Sequence, residues 1–303
     1  MVLKQFTYLV ALAREKHFGR AALAANISQP TLSAAIKALE AEMGAPIVER
    51  GHRFNGLTPQ GELVLDHAQR ILAECAALRQ SLDEMGQGLR GRLRLGVIPT
   101  ALPVVAMLTG PFHARYPGVS IQVFSHTSIE ILRGLETFEL EAGMTYLDNE
   151  PLDHVLAKPI YREDYVFLTP QQSRYAALPE ISWAQAGEAP LCLLTPDMQN
   201  RRILNGIFLS VGCQPKASVE TNSILNLCSH VSAGHWSSIV SRAFLEAFGQ
   251  PAGTVAVPLV APQVSRSIGL IMADRQPSSP LARAFLAHAT PLAFGGEGRA
   301  RSS

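Results

Sequence analysis

Apolar residues in this chain keep one period up to about residue 85 and another after residue 92. In the first stretch they recur every three or four positions, the repeat of an amphipathic helix. Leu3, Phe6, Leu9, Val10 and Ala13 predict a first helix over residues 2–17, ended by Phe18-Gly19. Arg20 to Ala25 read as a short second helix and Asn26-Ile27 as a tight turn. Leu32, Ile36, Leu39 and Met43 then form the buried stripe of a third helix. Ser28 suits its N-cap, Pro30 sits where a missing N–H costs nothing, and Gly44 supplies a left-handed stop. Helix, short helix, turn and helix make a helix-turn-helix, whose last helix enters a DNA major groove. The face opposite the stripe is small and polar: Gln29, Thr31, Ser33, Ala34 and Lys37. Such side chains allow close approach and offer donors and acceptors to base edges and phosphates.

Ile47 and Val48 predict a short strand, 49–56 a charged hairpin and Leu57 a return to the core, the pattern of a wing. Arg50 and Arg53 are placed there to meet phosphates or a minor groove. Thr58-Pro59 opens a long helix. In it Val64, Ala68, Ile71, Cys75, Leu78, Leu82 and Met85 alternate spacings of four and three. That is a heptad seam, and it predicts a dimer, as paired DNA half-sites require.

Residues 86–91, GQGLRG, read as a hinge. Beyond it short apolar runs alternate with helical patterns, so the fold class is α/β. Strands are predicted at 92–98, 119–124, 142–146, 166–168, 191–194, 217–219, 238–240 and 267–272, with helices between them. The organisation is a DNA-binding domain over 1–58, a dimerising helix over 59–88 and a two-lobed domain over 92–295. Lobe I covers about 92–161 and 266–295, lobe II about 165–262, and a disordered tail fills 296–303. Two such lobes enclose a ligand cleft.

Strand-to-helix turns facing that cleft carry Thr100, Ser125, His126, Ser128 and Thr145 from lobe I. Lobe II offers Thr195, Gln199, Asn200, Thr221 and Asn222. Hydroxyls, amides and helix N-termini suit a small polar or anionic ligand, such as a carboxylate.

Composition narrows the alternatives. The net charge is +1, which argues against a wholly basic coat protein, yet residues 1–60 hold seven bases against four acids. The four cysteines are scattered, which predicts reduced thiols in the cytoplasm rather than disulfides or a zinc site. His113 and His126 lack further metal ligands at fixed spacing. No cofactor is expected. Neither a signal peptide nor a membrane span is legible. Nucleophile elbows, dinucleotide fingerprints and phosphate loops are missing, so no catalytic residue is assigned and the chain is not expected to be an enzyme. The alternatives are a solute-binding protein or enzyme built on the two lobes, or a DNA binder that ignores ligands.

Several stretches resemble the LysR-type bacterial transcriptional regulators. They are Phe18-Gly19-Arg20-Ala21-Ala22, Ser28-Gln29-Pro30-Thr31-Leu32-Ser33, Ile36-Lys37-Ala38-Leu39-Glu40, Glu49-Arg50, and Leu57-Thr58-Pro59-Gln60-Gly61. Further on come Leu95-Gly96-Val97-Ile98-Pro99-Thr100, Tyr116-Pro117-Gly118-Val119 and Ser128. The resemblance implies a winged helix-turn-helix, a dimerising linker helix and an effector domain like a periplasmic binding protein. It also implies tetramers, promoter DNA, RNA polymerase and a small metabolite as partners. DNA-reading positions carry over to Gln29, Pro30, Thr31, Ser33 and Lys37, with Arg50 and Arg53 on the backbone or minor groove. The segments Leu191 to Arg202 and Glu220 to Val240 are similar to a branch associated with formate dehydrogenase operons, which implies formate or one-carbon metabolism. Two features depart from the family pattern. Gly19 stands where many members have serine, which removes one expected helix N-cap. The third strand reads Leu140-Glu141-Ala142-Gly143-Met144 in place of the usual Leu-Asp-Leu-Ala.

Overall fold

The structure, a computed structural model, describes residues 3–49, 54–275 and 278–294. Arg50, Arg53, the Met85 side chain and the tail 296–303 lie outside the described residues. The chain divides into two compact units, Met1–Gly86 and Gln87–Ser303.

The first unit begins with helices α1 (Leu3–Glu15), α2 (Phe18–Ala24) and α3 (Gln29–Met43), and ends with the long α4 (Pro59–Gln87). Phe6, Leu9, Leu12, Leu32, Ile36, Leu39 and Ile47 converge in one core. Met43, the last residue of the expected stripe, is 37% exposed, because the final turn of α3 runs past that core. The second helix also differs from expectation. Lys16 takes a left-handed turn (φ 49°) and His17 an extended one, so α2 starts at Phe18 and not Arg20. The imidazole Nδ1 of His17 accepts from Gly19 N at 3.0 Å and from Arg20 N at 3.3 Å. Glycine at 19 therefore leaves the helix capped, by a residue two positions earlier.

Val48 and Leu57 bridge antiparallel, closing the base of the wing. The Thr58 hydroxyl accepts from Gly61 N at 2.9 Å and so caps α4. A Cβ on Gly61 would lie 2.0 Å from the Ile47 carbonyl oxygen, so α4 passes the wing at a distance only glycine allows.

The second unit is α/β. In order it contains β1 (Gly91–Val97), a 3-10 turn (Pro99–Ala101), α5 (Leu102–Arg115), β2 (Val119–Ser125), α6 (Ser128–Glu136) and β3 (Ala142–Tyr146). The long β4 (Val155–Pro170), β5 (Ile181–Ser182), α7 (Trp183–Gly187), β6 (Leu191–Leu194), α8 (Gln199–Ser210) and β7 (Ala217–Thr221) follow. Last come α9 (Ile224–Ser232), β8 (Ser238–Ser241), α10 (Arg242–Phe248), β9 (Thr254–Val260), β10 (Ser265–Ala273) and α11 (Pro280–His288).

Strand β1 lies between β2 and β3, parallel to both, and β10 joins β3 antiparallel. These strands form lobe I with the first half of β4, since residues 155–164 pair with β10. The second half of β4, 165–170, pairs with β8 and β9 in lobe II. One strand therefore runs through both lobes and changes partners at Asp164-Tyr165. The chain returns to lobe I between β9 and β10. The expectation had only a crossover at 160–168 and a short strand at 166–168, and no strand at 254–260. Pro258 interrupts the apolar run there, but it is tolerated opposite Val166.

Candidate DNA interface and effector cleft

Helix α3 is held by its ends. Ser28 Oγ accepts from Thr31 N at 3.3 Å, and Gly44, at φ 66°, returns its N–H to Glu40 O. Glu40 does more than sit in the helix. Its Oε1 accepts from Ile47 N at 2.8 Å and Val48 N at 3.1 Å, so the carboxylate ties α3 to the base of the wing. Glu40 was legible only as part of a family motif. Of the expected reading residues, Gln29, Pro30, Thr31 and Lys37 are exposed and Ser33 is half-buried. The Thr31 hydroxyl bonds Ser28 Oγ at 2.8 Å, so it also serves the cap. The result is a polar, small-residue helix face whose own carboxylate anchors the base of the wing.

The heptad seam of α4 has two roles. Ala68 is buried in the unit's own core, with Val64 and Ile71 packed against it. Further along, Leu78 and Leu82 are 62% and 60% exposed. Isoleucine and leucine at one spacing thus meet the folded unit first and solvent second.

In the second unit a small cavity opens between the lobes. Pro99, Thr100, Thr127 and Ser128 line it from lobe I, and Met198, Gln199 and Asn200 from lobe II. Thr100 is 2% exposed, and its hydroxyl has no hydrogen-bond partner among the described residues. Helix α8 enters the cavity wall with Met198 as its N-cap and no side chain bonded to its first-turn amides. Helix α6 differs: Thr127 is its N-cap, one residue before the expected Ser128, and Glu130 closes a capping box there. That carboxylate already occupies the positive end of α6, which leaves α8 as the open one.

Four expected cleft residues, Thr100, Ser128, Gln199 and Asn200, therefore meet at one cavity. Thr145 lies buried behind it, 3.5 Å from Gln199 Oε1. The others do not line it. Ser125 is exposed, and His126 stacks on Phe124 with its Nδ1 3.7 Å from Glu130. They precede the Thr127 cap, so the chain has not yet turned inward. Thr195 hides its hydroxyl in the protein. Thr221 accepts from Ser223 N at 3.1 Å, and Asn222 is exposed on the same turn. These two are used by, or lie beside, the turn that starts α9.

Sequence reasoning missed Tyr146, which also lines the cavity, and the buried carboxyl beneath it. Tyr146 donates to Glu163 Oε1 at 2.5 Å and accepts from Asn200 Nδ2 at 3.0 Å. Burial pushes the Glu163 carboxyl up to about 7, offset in part by Tyr146, then Tyr165 and Ser241. Burial, and then the Glu163 charge, hold the Tyr146 hydroxyl well above its usual range. A glutamate in a strand reads as a surface residue; only the packing of both lobes over β4 shows otherwise.

Residues 3–62 match the family of bacterial regulatory helix-turn-helix proteins of the lysR type. Residues 86–292 match the LysR substrate binding domain. The chain belongs to the LysR family. It is a DNA-binding transcriptional regulator and not an enzyme.

Among its LysR relatives, the Escherichia coli DNA-binding transcriptional dual regulator OxyR is 27% identical over 93% of this chain and 91% of its own length. A probable hydrogen peroxide-inducible genes activator of Mycobacterium avium is 30% identical, over 86% and 85%. A full-length OxyR variant from Pseudomonas aeruginosa superposes with TM-score 0.73 at 26% identity, covering 95% of this chain and 94% of that one. Full-length CbnR complexed with its target DNA shares the fold at TM-score 0.69 and 22% identity, over 95% and 99%. Among the described residues of this LysR chain, no helix is long and apolar enough to cross a membrane. Among the described residues, no group of three or more His, Cys, Asp or Glu is placed to hold a metal.

Proposed function

We propose that this LysR regulator binds promoter DNA as a dimer and responds to a small carboxylate held between its effector lobes. The carrying observation is the buried, unpartnered Thr100 hydroxyl, which lines the same cavity as the uncapped start of α8. A donor hydroxyl and open backbone amides suit an anion. Thr100, Ser128, Gln199 and Asn200 hold the ligand, with Thr145 behind them. The small cavity suits a ligand of few atoms, which keeps formate and other one-carbon acids first among the candidates. On the DNA side, Gln29, Pro30, Thr31, Ser33 and Lys37 read the DNA, while Arg50 and Arg53 meet backbone phosphates or a minor groove. Bare Leu78 and Leu82 support pairing through α4. A dimer of dimers in the cytoplasm, in contact with RNA polymerase, completes the reading.

Thermal-shift screening of the full-length protein with formate, acetate and glycolate tests the cleft. Stabilisation is expected, and Thr100→Ala and Ser128→Ala abolish it. Stabilisation that survives both substitutions would place the ligand elsewhere.

The peroxide-inducible relatives raise a second reading, in which a thiol is the sensor. The thiols argue against it. Cys192 and Cys228 are buried, and burial pushes both up to about 11, whereas peroxide attacks thiolates. Cys75 lies on α4 and Cys213 follows α8, and neither lines the cavity. Peroxide should therefore leave promoter binding unchanged; a shift that disappears on substituting one cysteine by alanine would restore the redox reading.

A further inference from the structure

Behind the cleft, β4 carries Tyr161, Glu163 and Tyr165 on one face, at alternate positions just where the strand passes between lobes. All three are buried. Glu163 Oε2 and both tyrosine hydroxyls lack a hydrogen-bond partner among the described residues. The groups around the carboxyl come from every packed element. Tyr146 reaches it from β3, and Tyr161, Asp164 and Tyr165 lie on β4 itself. Ser241 approaches from the end of β8, and Arg266 stands opposite in the β10 register.

The chain of hydrogen bonds from the cleft has a direction. An ionised Glu163 can only accept. Tyr146 has one proton and gives it to Glu163, so on its other side the phenol oxygen can only accept. Asn200 must then turn an amide N–H toward Tyr146, as it does. If Glu163 takes a proton from solvent, it can donate to Tyr146. The phenol proton is then free for Asn200, whose carbonyl swings to meet it and whose NH2 swings toward the cleft. Protonation of one buried carboxyl therefore exchanges an acceptor for a donor at the ligand and removes a negative charge behind it.

We propose that Glu163 is a positioning residue for the effector cleft, acting through Tyr146 on Asn200, so that binding of a carboxylate is accompanied by uptake of one proton at Glu163. The proposal rests on the small-carboxylate reading of the cleft. The titration of Glu163 at about 7 places the effect near neutrality. Below that pH the proton is already present and affinity is constant. Above it each ligand must bring a proton in, and affinity falls about tenfold per pH unit.

Calorimetric titration of the full-length protein with formate, acetate and glycolate tests this between about pH 5.5 and 8.5, where the probes stay ionised. The wild type should show the tenfold slope on the alkaline side. Repeating the titration in two buffers of different ionisation heat should count one proton taken up per ligand. Glu163→Gln, which stays neutral, should bind with an affinity independent of pH and release or take up no proton. If that variant does not fold, Tyr146→Phe keeps the ring and cuts the chain, and should flatten the slope. Binding without pH dependence in the wild type, or an unchanged slope in the variants, overturns the linkage and leaves the carboxylate site standing. Absence of binding by any probe at any pH overturns both.

Discussion

Arg202 grips Glu150 in a two-point ion pair, Nε to Oε1 at 2.7 Å and Nη2 to Oε2 at 2.8 Å. The two residues come from different lobes, α8 and the loop after β3. The same guanidinium donates to Asp197 O at 2.6 Å and reaches Ser128 Oγ at 3.4 Å. It therefore ties the lobes together beside the ligand cavity. Both side chains are about a third exposed, so screening limits the pair to about 1 kcal/mol. Arg202→Ala should lower the melting temperature by only a few degrees. Its larger effect should be on hydrogen exchange, with faster exchange of the α8 amides. Equal exchange in wild type and variant would remove the tie from the mechanism.

Glu40 gives a sharper test in the DNA-binding unit. Its carboxylate satisfies two backbone N–H groups of the wing base. Glu40→Ala leaves both without that partner, at a cost of about 1–3 kcal/mol each while they remain buried. DNA affinity should fall with stability, because the wing loses its register against α3. Glu40→Gln keeps a carbonyl acceptor and should recover most of both. Denaturant unfolding and gel shifts on the same promoter fragment decide the point; a Gln variant as weak as Ala would mean that charge, not the hydrogen bonds, matters.

Gly61→Ala should be among the most damaging single-methyl changes in the chain. The added Cβ would stand 2.0 Å from the Ile47 carbonyl oxygen, and that atom is backbone. Either α4 moves away from the wing or the Thr58 cap opens. A loss of about 2–4 kcal/mol is expected, measured by urea unfolding. Gly110→Ala, in α5, meets nothing within 4 Å and should be neutral or mildly stabilising.

On the DNA face the substitutions should separate by role. Gln29→Ala and Ser33→Ala should relax sequence preference, whereas Arg53→Ala should weaken all sequences alike and reduce the salt slope by about one. Binding of specific and scrambled fragments at several salt concentrations distinguishes the two. The same effect from all three residues would end this division of labour.

How much of this was legible in sequence depends on the range of the forces involved. Helix α3 was legible because its signals are local: Ser28 at the start, Gly44 at the end and a stripe between. Even there, the α2 start was displaced, since a histidine cap such as His17 is not among the usual side chains for that position. In the second unit Thr100 and Asn200, which line the cavity, were legible because they follow a strand or open a helix. Ser125, His126, Thr221 and Asn222 satisfy the same rule and do not line that cavity. The rule locates the turn but not the direction in which each side chain leaves it. Tyr146 and Glu163 carry no local signal at all. Their burial follows from β10, more than a hundred residues later in the chain, pairing with both β3 and β4.

Glu163 also makes stability depend on pH without any ligand. Its carboxyl titrates at about 7 in the folded protein, against an ordinary value of 4.5. The folded state thus holds the proton more tightly than the unfolded chain. The favourable contribution is complete below about pH 4.5, declines between there and about 7, and is lost above it. The shift corresponds to about 3 kcal/mol across that window. Other carboxylates titrate at the acid end, so the comparison that isolates this group is wild type against Glu163→Gln at each pH. The difference in unfolding free energy between the two should change by about 3 kcal/mol in favour of Glu163→Gln from pH 4.5 to about 8. A constant difference would mean that Glu163 is ionised throughout, held so by the hydrogen bond from Tyr146 against the cost of burial.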